Sequence, residues 1–186
     1  MVQLDTSWLQ HVQKPARYTG GEYNSIVKDH STVDVTMALA FPDVYEVAMS
    51  HLGIKILYGL INRREDAAAE RVFAPWHDME EEMRKRNIPL FSLETRTPIK
   101  DFDVLAFTLQ YEMSFTNILN MLDLAGIPMY AKDRDMDFPL LVCGGPCAFN
   151  VEPIADFFDI VSLGESEEWG DEFVDLYKAE KAKGFP

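Results

Sequence analysis

Cysteine, positive charge and long apolar runs are all scarce in this chain, and each scarcity removes a class of function. Two cysteines, Cys143 and Cys147, are too few for a disulfide scaffold and fit a reducing compartment. Seventeen lysines and arginines against 31 aspartates and glutamates leave a formal charge of −14 and a pI near 4.6. With no basic stripe to displace counterions from a phosphate backbone, nucleic acid is not an expected partner of this chain alone. No apolar run approaches the roughly 20 residues that span a bilayer, and the N-terminus has neither the basic start nor the apolar centre of a signal peptide. The expected location is the cytoplasm, away from membranes.

Familiar cofactor and catalytic motifs are missing too. The dinucleotide fingerprint G-x-G-x-x-G and the P-loop are absent. The segment Phe41-Pro42-Asp43-Val44 after the first apolar strand is bulky and acidic, whereas a flavin-phosphate loop would be rich in serine and threonine. A phosphoacceptor domain would end its central strand in aspartate, where this chain has Thr108 and Leu109. Ser50 and His51 are neighbours in sequence, which does not pair a nucleophile with a base; Ser50 reads as a helix N-cap. No catalytic residue and no metal ligand emerges.

What the chain does contain is 47% apolar and 12% aromatic residues over 186 positions, enough to bury the core of one ordinary domain with an extension. The most informative stretch is 140–168. A buried strand (140–143) breaks into Gly144-Gly145-Pro146, a short helix follows, then a second strand (159–163) and the turn Gly164-Glu165. Glycines at a strand end let the backbone fold back and let a ligand approach with no Cβ in the way. In open parallel sheets ligands bind at those carboxyl ends.

In chain order, residues 1–32 read as a polar arm with one helical turn around 7–12, and 33–40 as a first strand. Residues 50–62 have helical spacing with Leu52, Ile56, Leu57, Leu60 and Ile61 on one face. A short strand at 71–74 precedes a solvated surface helix at 77–86, acidic at its start and basic at its end as the helix dipole favours. Residues 90–94 form a strand or an extended insertion. Residues 103–109 are a buried strand and 114–125 a helix with Phe115, Ile118, Leu119, Leu122 and Ala125 inward, stopped by Gly126. The closing helix, 166–181, buries Trp169, Phe173, Leu176 and Tyr177. This alternation predicts a three-layer α/β fold, flavodoxin-like (Rossmann-like), with a parallel sheet of about five strands in order 2-1-3-4-5, occupying residues 33–186.

The segments PARYTGGEYNS, FPDVYEVAMSHLGIKILYGLIN, AERVFAPW, LFSLET, DFDVLAFTLQYEMSFTNILNMLDLAGIP and VCGGPCAFNVEPIADFFDIVSLGESEE together resemble the N-terminal region of a group of bacterial radical S-adenosylmethionine (SAM) proteins. The resemblance covers residues 14–177. In that group the region is a cobalamin-binding-like domain placed before the catalytic barrel. The resemblance implies an accessory domain with no catalysis of its own, partnered in cis or in trans by a radical SAM catalytic domain absent from this chain. Cobalamin is the implied cofactor; S-adenosylmethionine and a four-iron cluster belong to the catalytic domain. Thr108, Gln110, Gly144, Gly145, Gly164 and Glu165 are the residues expected to make room for a corrin and its tail.

Two features depart from the related pattern. Cobalamin domains that supply an imidazole to cobalt use Asp-x-His-x-x-Gly, and none of His11, His30, His51 and His77 has that setting. Radical SAM clusters use Cys-x-x-x-Cys-x-x-Cys, because soft thiolates hold three irons and leave the fourth open. Cys143 and Cys147 have the first spacing, but the third position is Asn150, and Cys143 reads as a small buried hydrophobe. A second reading takes Tyr45, Tyr111, Phe149 and Phe157 as large enough to fill the cofactor's space, which would leave a ligand-free module that docks the catalytic domain. An open cleft above Thr108 and Gly144 would separate the two. Residues 14–28 concentrate positive charge and are expected to pack across the domain or against the catalytic partner, with Arg17 and Tyr18 as anchors.

Overall fold

The computed structural model describes residues 7–184; residues 1–6 of the expected arm lie outside them. Runs rich in Val, Ala, Leu and Phe become β1 (Val35–Phe41), β2 (Ala67–Phe73), β3 (Val104–Thr108), β4 (Leu140–Gly144) and β5 (Ile160–Val161). All pair in parallel in the order β2-β1-β3-β4-β5, the flavodoxin-like arrangement expected from the sequence. The chain winds outward from β1 to β2, then crosses back to β3, so the topological switch lies between β1 and β3. In such sheets the crevice for ligands opens at that point.

Among the described residues five α-helices cover the sheet: α1 (Tyr45–Ala48), α2 (Leu52–Arg63), α3 (His77–Arg86), α4 (Phe115–Ala125) and α5 (Ser166–Lys183). Period-2 alternation divides the strand side chains between two cores. Met37, Leu39, Val104 and Val142 meet Ile54, Tyr58 and Ile61 of α2 and Phe173 and Val174 of α5. Ala38, Ala40, Leu105, Phe107 and Leu141 meet Met79 and Met83 of α3 and Ile118, Met121 and Leu122 of α4. Withdrawing each such large side chain from water contributes roughly 1.5–3 kcal/mol, so both faces need a helical layer.

The inward stripes differ from the expected ones in two helices. On α2 the buried positions are Ile54, Tyr58 and Ile61, while Leu52 is 68% exposed and Ile56 also reaches the surface. The helix is apolar on two adjacent stripes, and tertiary packing selects the other one. On α5 the fully buried positions are Gly170, Phe173 and Val174; Trp169 and Tyr177 pack against the same core as expected, but Leu176 is 62% exposed. Ser50 is not the α2 cap. Its hydroxyl donates to the Val47 carbonyl, and the His51 ring takes the capping role. The short helix expected after Gly145-Pro146 is two 3-10 turns, Pro146–Asn150 and Glu152–Phe157.

β2 is an edge strand, and the outer backbone groups along most of it are engaged by neighbouring segments. Asn62 of α2 both donates to and accepts from the Ala69 backbone. Lys28 donates to the Ala67 carbonyl, Arg71 N–H donates to Glu94, and Leu93 N–H donates to the Arg71 carbonyl. Residues 90–94 therefore add no strand but seal an edge that would otherwise template aggregation.

The arm contributes to the same seal. Arg17 pairs with Glu46, and the Tyr18 hydroxyl accepts from Trp76 N–H. Further along, Ser25 accepts from Arg71, Ile26 and Tyr58 exchange hydrogen bonds, and His30 meets the buried Glu70 at 2.7 Å. Arg17 and Tyr18 thus anchor the arm on its own domain.

Candidate functional site

β3 and β4 end level with one another, with Thr108 opposite Gly144. Above them, on the α2 and α5 side, opens a cleft of about 440 Å³. Ion pairs of Arg64 with Asp171 and Asp175 tie α2 to α5 away from it. The N-terminal parts of the two helices form its walls: Ile54, Ile56 and Leu57 on one side, Trp169 and Gly170 on the other, over a floor of Leu39, Ala106 and Val142. Thr108, Gln110, Gly144, Gly145, Gly164 and Glu165 all border this one cleft.

Its rim is shaped by a backbone that only glycine adopts comfortably. Gly145 sits at φ 107°, ψ −177°, and a Cβ there would lie 2.9 Å from the Leu109 carbonyl oxygen. That oxygen accepts from Cys147 N–H, while Leu109 N–H donates to the Gly144 carbonyl. The two strand ends are thereby stitched together.

The polar groups around the opening form a directed chain. Ile54 N–H donates to His51 Nδ1 at 3.3 Å, His51 Nε2 lies 3.1 Å from Gln110 Oε1, and Gln110 Nε2 donates to the Thr108 hydroxyl. Gly53 permits this, since a Cβ at that position would come within 2.8 Å of the His51 ring. Ser162 is 93% buried beside the cleft, and among the described residues its hydroxyl has no partner. Sequence reading missed His51, Ser162 and Trp169. Only the GGP and GE turns carry a local signal, whereas these three reach the cleft through the packing of α2, β5 and α5.

None of the four aromatics expected to fill the space closes it. Tyr45 packs on Phe73 and bonds Glu22, Tyr111 reaches Asp43, and Phe157 packs on Tyr130. Phe149 borders the cleft but stands 76% exposed. Each finds a partner or solvent elsewhere, so the cleft stays open.

Cys143 and Cys147 are free thiols. Burial pushes Cys143 up to about 12; burial and the nearby Glu112 also raise Cys147. Both are protonated at neutral pH, which does not suit a nucleophile. Among the described residues no group of three His, Cys, Asp or Glu side chains is placed to hold a metal ion, and no helix is long and apolar enough to cross a membrane.

Residues 53–186 match the family described as radical SAM proteins, N-terminal. The chain belongs to that family. It is therefore an N-terminal, accessory-type domain of the radical SAM protein family. The uncharacterized protein MJ0966 of Methanocaldococcus jannaschii is 28% identical over 134 residues, which make up 70% of this chain and 24% of that protein. The chain spans about a quarter of that relative's length.

Proposed function

We propose that this domain holds a corrinoid at the carboxyl ends of β3 and β4 for use by the radical SAM domain, and has no catalysis of its own. The observation that carries the reading is the open cleft over the Thr108–Gly144 pair, which extends across β3 to Leu39 and Ala40 of β1 and so reaches the topological switch. Its volume lies at the lower end of the range for ligand sites. That suits the nucleotide-like tail of cobalamin, with the corrin outside on the rim. Gly144, Gly145 and Gly164 keep the rim free of side chains, and Thr108 and Ser162 offer hydroxyls within apolar walls.

The residues fit a cobalamin whose cobalt takes no protein imidazole. His51 is the only histidine bordering the cleft among the described residues, and both its ring nitrogens are already engaged. A bound cobalamin would supply an organometallic or reducible cobalt centre. This chain's part is to bind and orient it and to withdraw the tail from water. The cytoplasm is the proposed setting, and the radical SAM domain the proposed user of the cofactor.

The test is to mix the chain with hydroxocobalamin, separate by gel filtration and record the absorbance of the protein peak. A co-eluting corrin spectrum of base-off form, without the shift that imidazole ligation gives, is the expected result. A protein peak free of corrin absorbance refutes the reading.

A further inference from the structure

We propose that the outer face of α2 and α5 is an interface between two copies of this chain, packed face to face about a two-fold axis parallel to the helices, so that α2 of each copy lies on α5 of the other.

α2 is apolar on two stripes, and the sheet uses only one. The stripe left over faces away from the core: Leu52 is 68% exposed, Ile56 is 38% exposed, and Leu60, one turn further on, is half-buried. Positions four apart share a helix face, so the three stand in one line. Gly59 leaves a notch beside them, since a Cβ there would meet no atom within 4 Å. On α5, which runs alongside, Glu168, Glu172 and Ala179 are exposed on one face with the exposed Leu176 at its edge. Single apolar side chains on a surface need no explanation, but a row of them marks a contact site.

The charges on this face identify the occupant. The chain as a whole carries −14, yet the only charged residues of α2 are basic, Lys55 and Arg63. Both are exposed, and neither has an acidic partner among the described residues, although 31 aspartates and glutamates are present. α5 shows the opposite excess, because Glu168 and Glu172 are likewise exposed and unpaired among the described residues. A basic row on one helix beside an acidic row on the next is complementary to its own copy, which is what an isologous interface requires. A partner of a single charge sign would be repelled by one of the two rows.

The register agrees. α2 and α5 run the same way, since each follows a strand of one parallel sheet and the N-terminal parts of both wall the same cleft. A two-fold axis along that direction leaves the level of each residue unchanged. Lys55 comes three residues after the start of α2 and Glu168 two after the start of α5, a difference of about 1.5 Å, so Lys55 meets Glu168 of the partner subunit. Arg63 leans back toward the helix N-terminus, as helical side chains do, and so toward Glu172 of the partner subunit. An axis across the helices would instead set basic on basic and acidic on acidic. Helices of 12 and 18 residues, about 18 and 27 Å long and about 10 Å apart, present a face near the lower size limit of specific interfaces. The dimer is therefore weak, and salt weakens it further.

Sedimentation velocity of the 186-residue chain, from micromolar to millimolar concentration at low salt, should show a monomer–dimer equilibrium. Lys55→Glu with Arg63→Glu should weaken association about tenfold or more, and so should Glu168→Lys with Glu172→Lys, because each pair sets like charges face to face. All four positions are exposed, so the fold is not at risk. The four changes combined restore opposite charges between α2 and α5 of the two copies and should bring association back toward wild type. A wild-type chain that stays monomeric throughout leaves this face to another part of a longer protein and overturns the inference. A dimer that survives both pairs of reversals unweakened lies elsewhere on the surface and also overturns it. Association still lost in the fourfold variant overturns the packing of α2 on α5.

Discussion

A Cβ on Gly145 would lie 2.9 Å from the carbonyl oxygen of Leu109, which accepts from Cys147 N–H. The neighbouring Gly144 differs: a Cβ there would find Ser162 at 3.5–3.6 Å, an ordinary contact. Gly145→Ala should therefore destabilise by roughly 1–3 kcal/mol, the usual cost of forcing a side chain into so sparsely populated a backbone region. In a domain of this size that lowers Tm by several degrees. Gly144→Ala should leave Tm close to wild type while narrowing the cleft. Thermal melts of the two variants check this, and equal Tm losses would show that the tight turn is not what Gly145 supplies.

The sheet order was legible in the sequence because most strands are short runs of β-branched and small apolar residues, and the GGP and GE turns marked the right end of the sheet; β2 was expected at 71–74 but runs 67–73, its start hidden because Glu70 and Arg71 interrupt the apolar run. Residues whose position depends on which of two apolar stripes a helix buries were not legible. Leu52 and Ile54 are equally apolar, and only the packed sheet decides that Ile54 goes in. His51 was hidden for a related reason. Its role needs Gln110, 59 residues away, and a ring turned back over Gly53, and no local spacing records either.

Arg71 and Glu94 form a buried pair beneath the arm, with the Glu94 side chain 0% exposed and its oxygen 2.6 Å from the guanidinium. Arg71 also lies over the Tyr58 ring at 4.5 Å. Burial already raises the Glu94 pKa, against the pull of Arg71. Removing one partner of such a pair costs roughly 3–5 kcal/mol, and Arg71→Met should fall in that range at neutral pH. Without Arg71 the carboxyl is held higher still. An acid whose folded pKa lies above its unfolded value holds protons longer when folded, so stability falls as pH rises. Chemical denaturation should accordingly show the deficit of Arg71→Met against wild type larger at pH 8 than at pH 5. A pH-independent deficit would mean that lost packing, not a stranded carboxylate, is responsible.

Glu46 accepts from both Arg17 and Lys14, and hydrogen bonding to Arg17 holds its pKa down at about 2 from an ordinary 4.5. The pair is partly exposed, so its contribution is under about 1 kcal/mol. Tyr18 adds an anchor by accepting from Trp76 N–H. Glu46→Gln combined with Tyr18→Phe should speed amide exchange in residues 14–19 several-fold while leaving the β-strand amides unchanged, since local opening and global unfolding are separate events. Unaltered exchange in the arm would show that it is held by contacts other than these two.

Asp66 precedes β2 and gathers Arg64, the residue that caps the C-terminus of α2, and Lys178 of α5 at 2.9–3.0 Å, so it joins three elements on the far side of α2 and α5 from the cleft. The hydrogen bond from Arg64 is the main cause of a pKa lowered from 3.8 to about 2, with Lys178 adding to it and burial opposing. For a carboxylate depressed on folding, the unfolded chain takes up protons first as the pH falls. Its stabilisation is complete above pH 3.8 and is lost between there and about 2. Asp66→Asn keeps the shape and loses the charge. It should cost about 1 kcal/mol at neutral pH, in line with a partly exposed ion pair, and should flatten the decline of stability over that acid window. The two stability curves should then converge near pH 2. Curves that stay parallel down to that pH would show that the charge on Asp66 contributes nothing to holding α2 and α5 together.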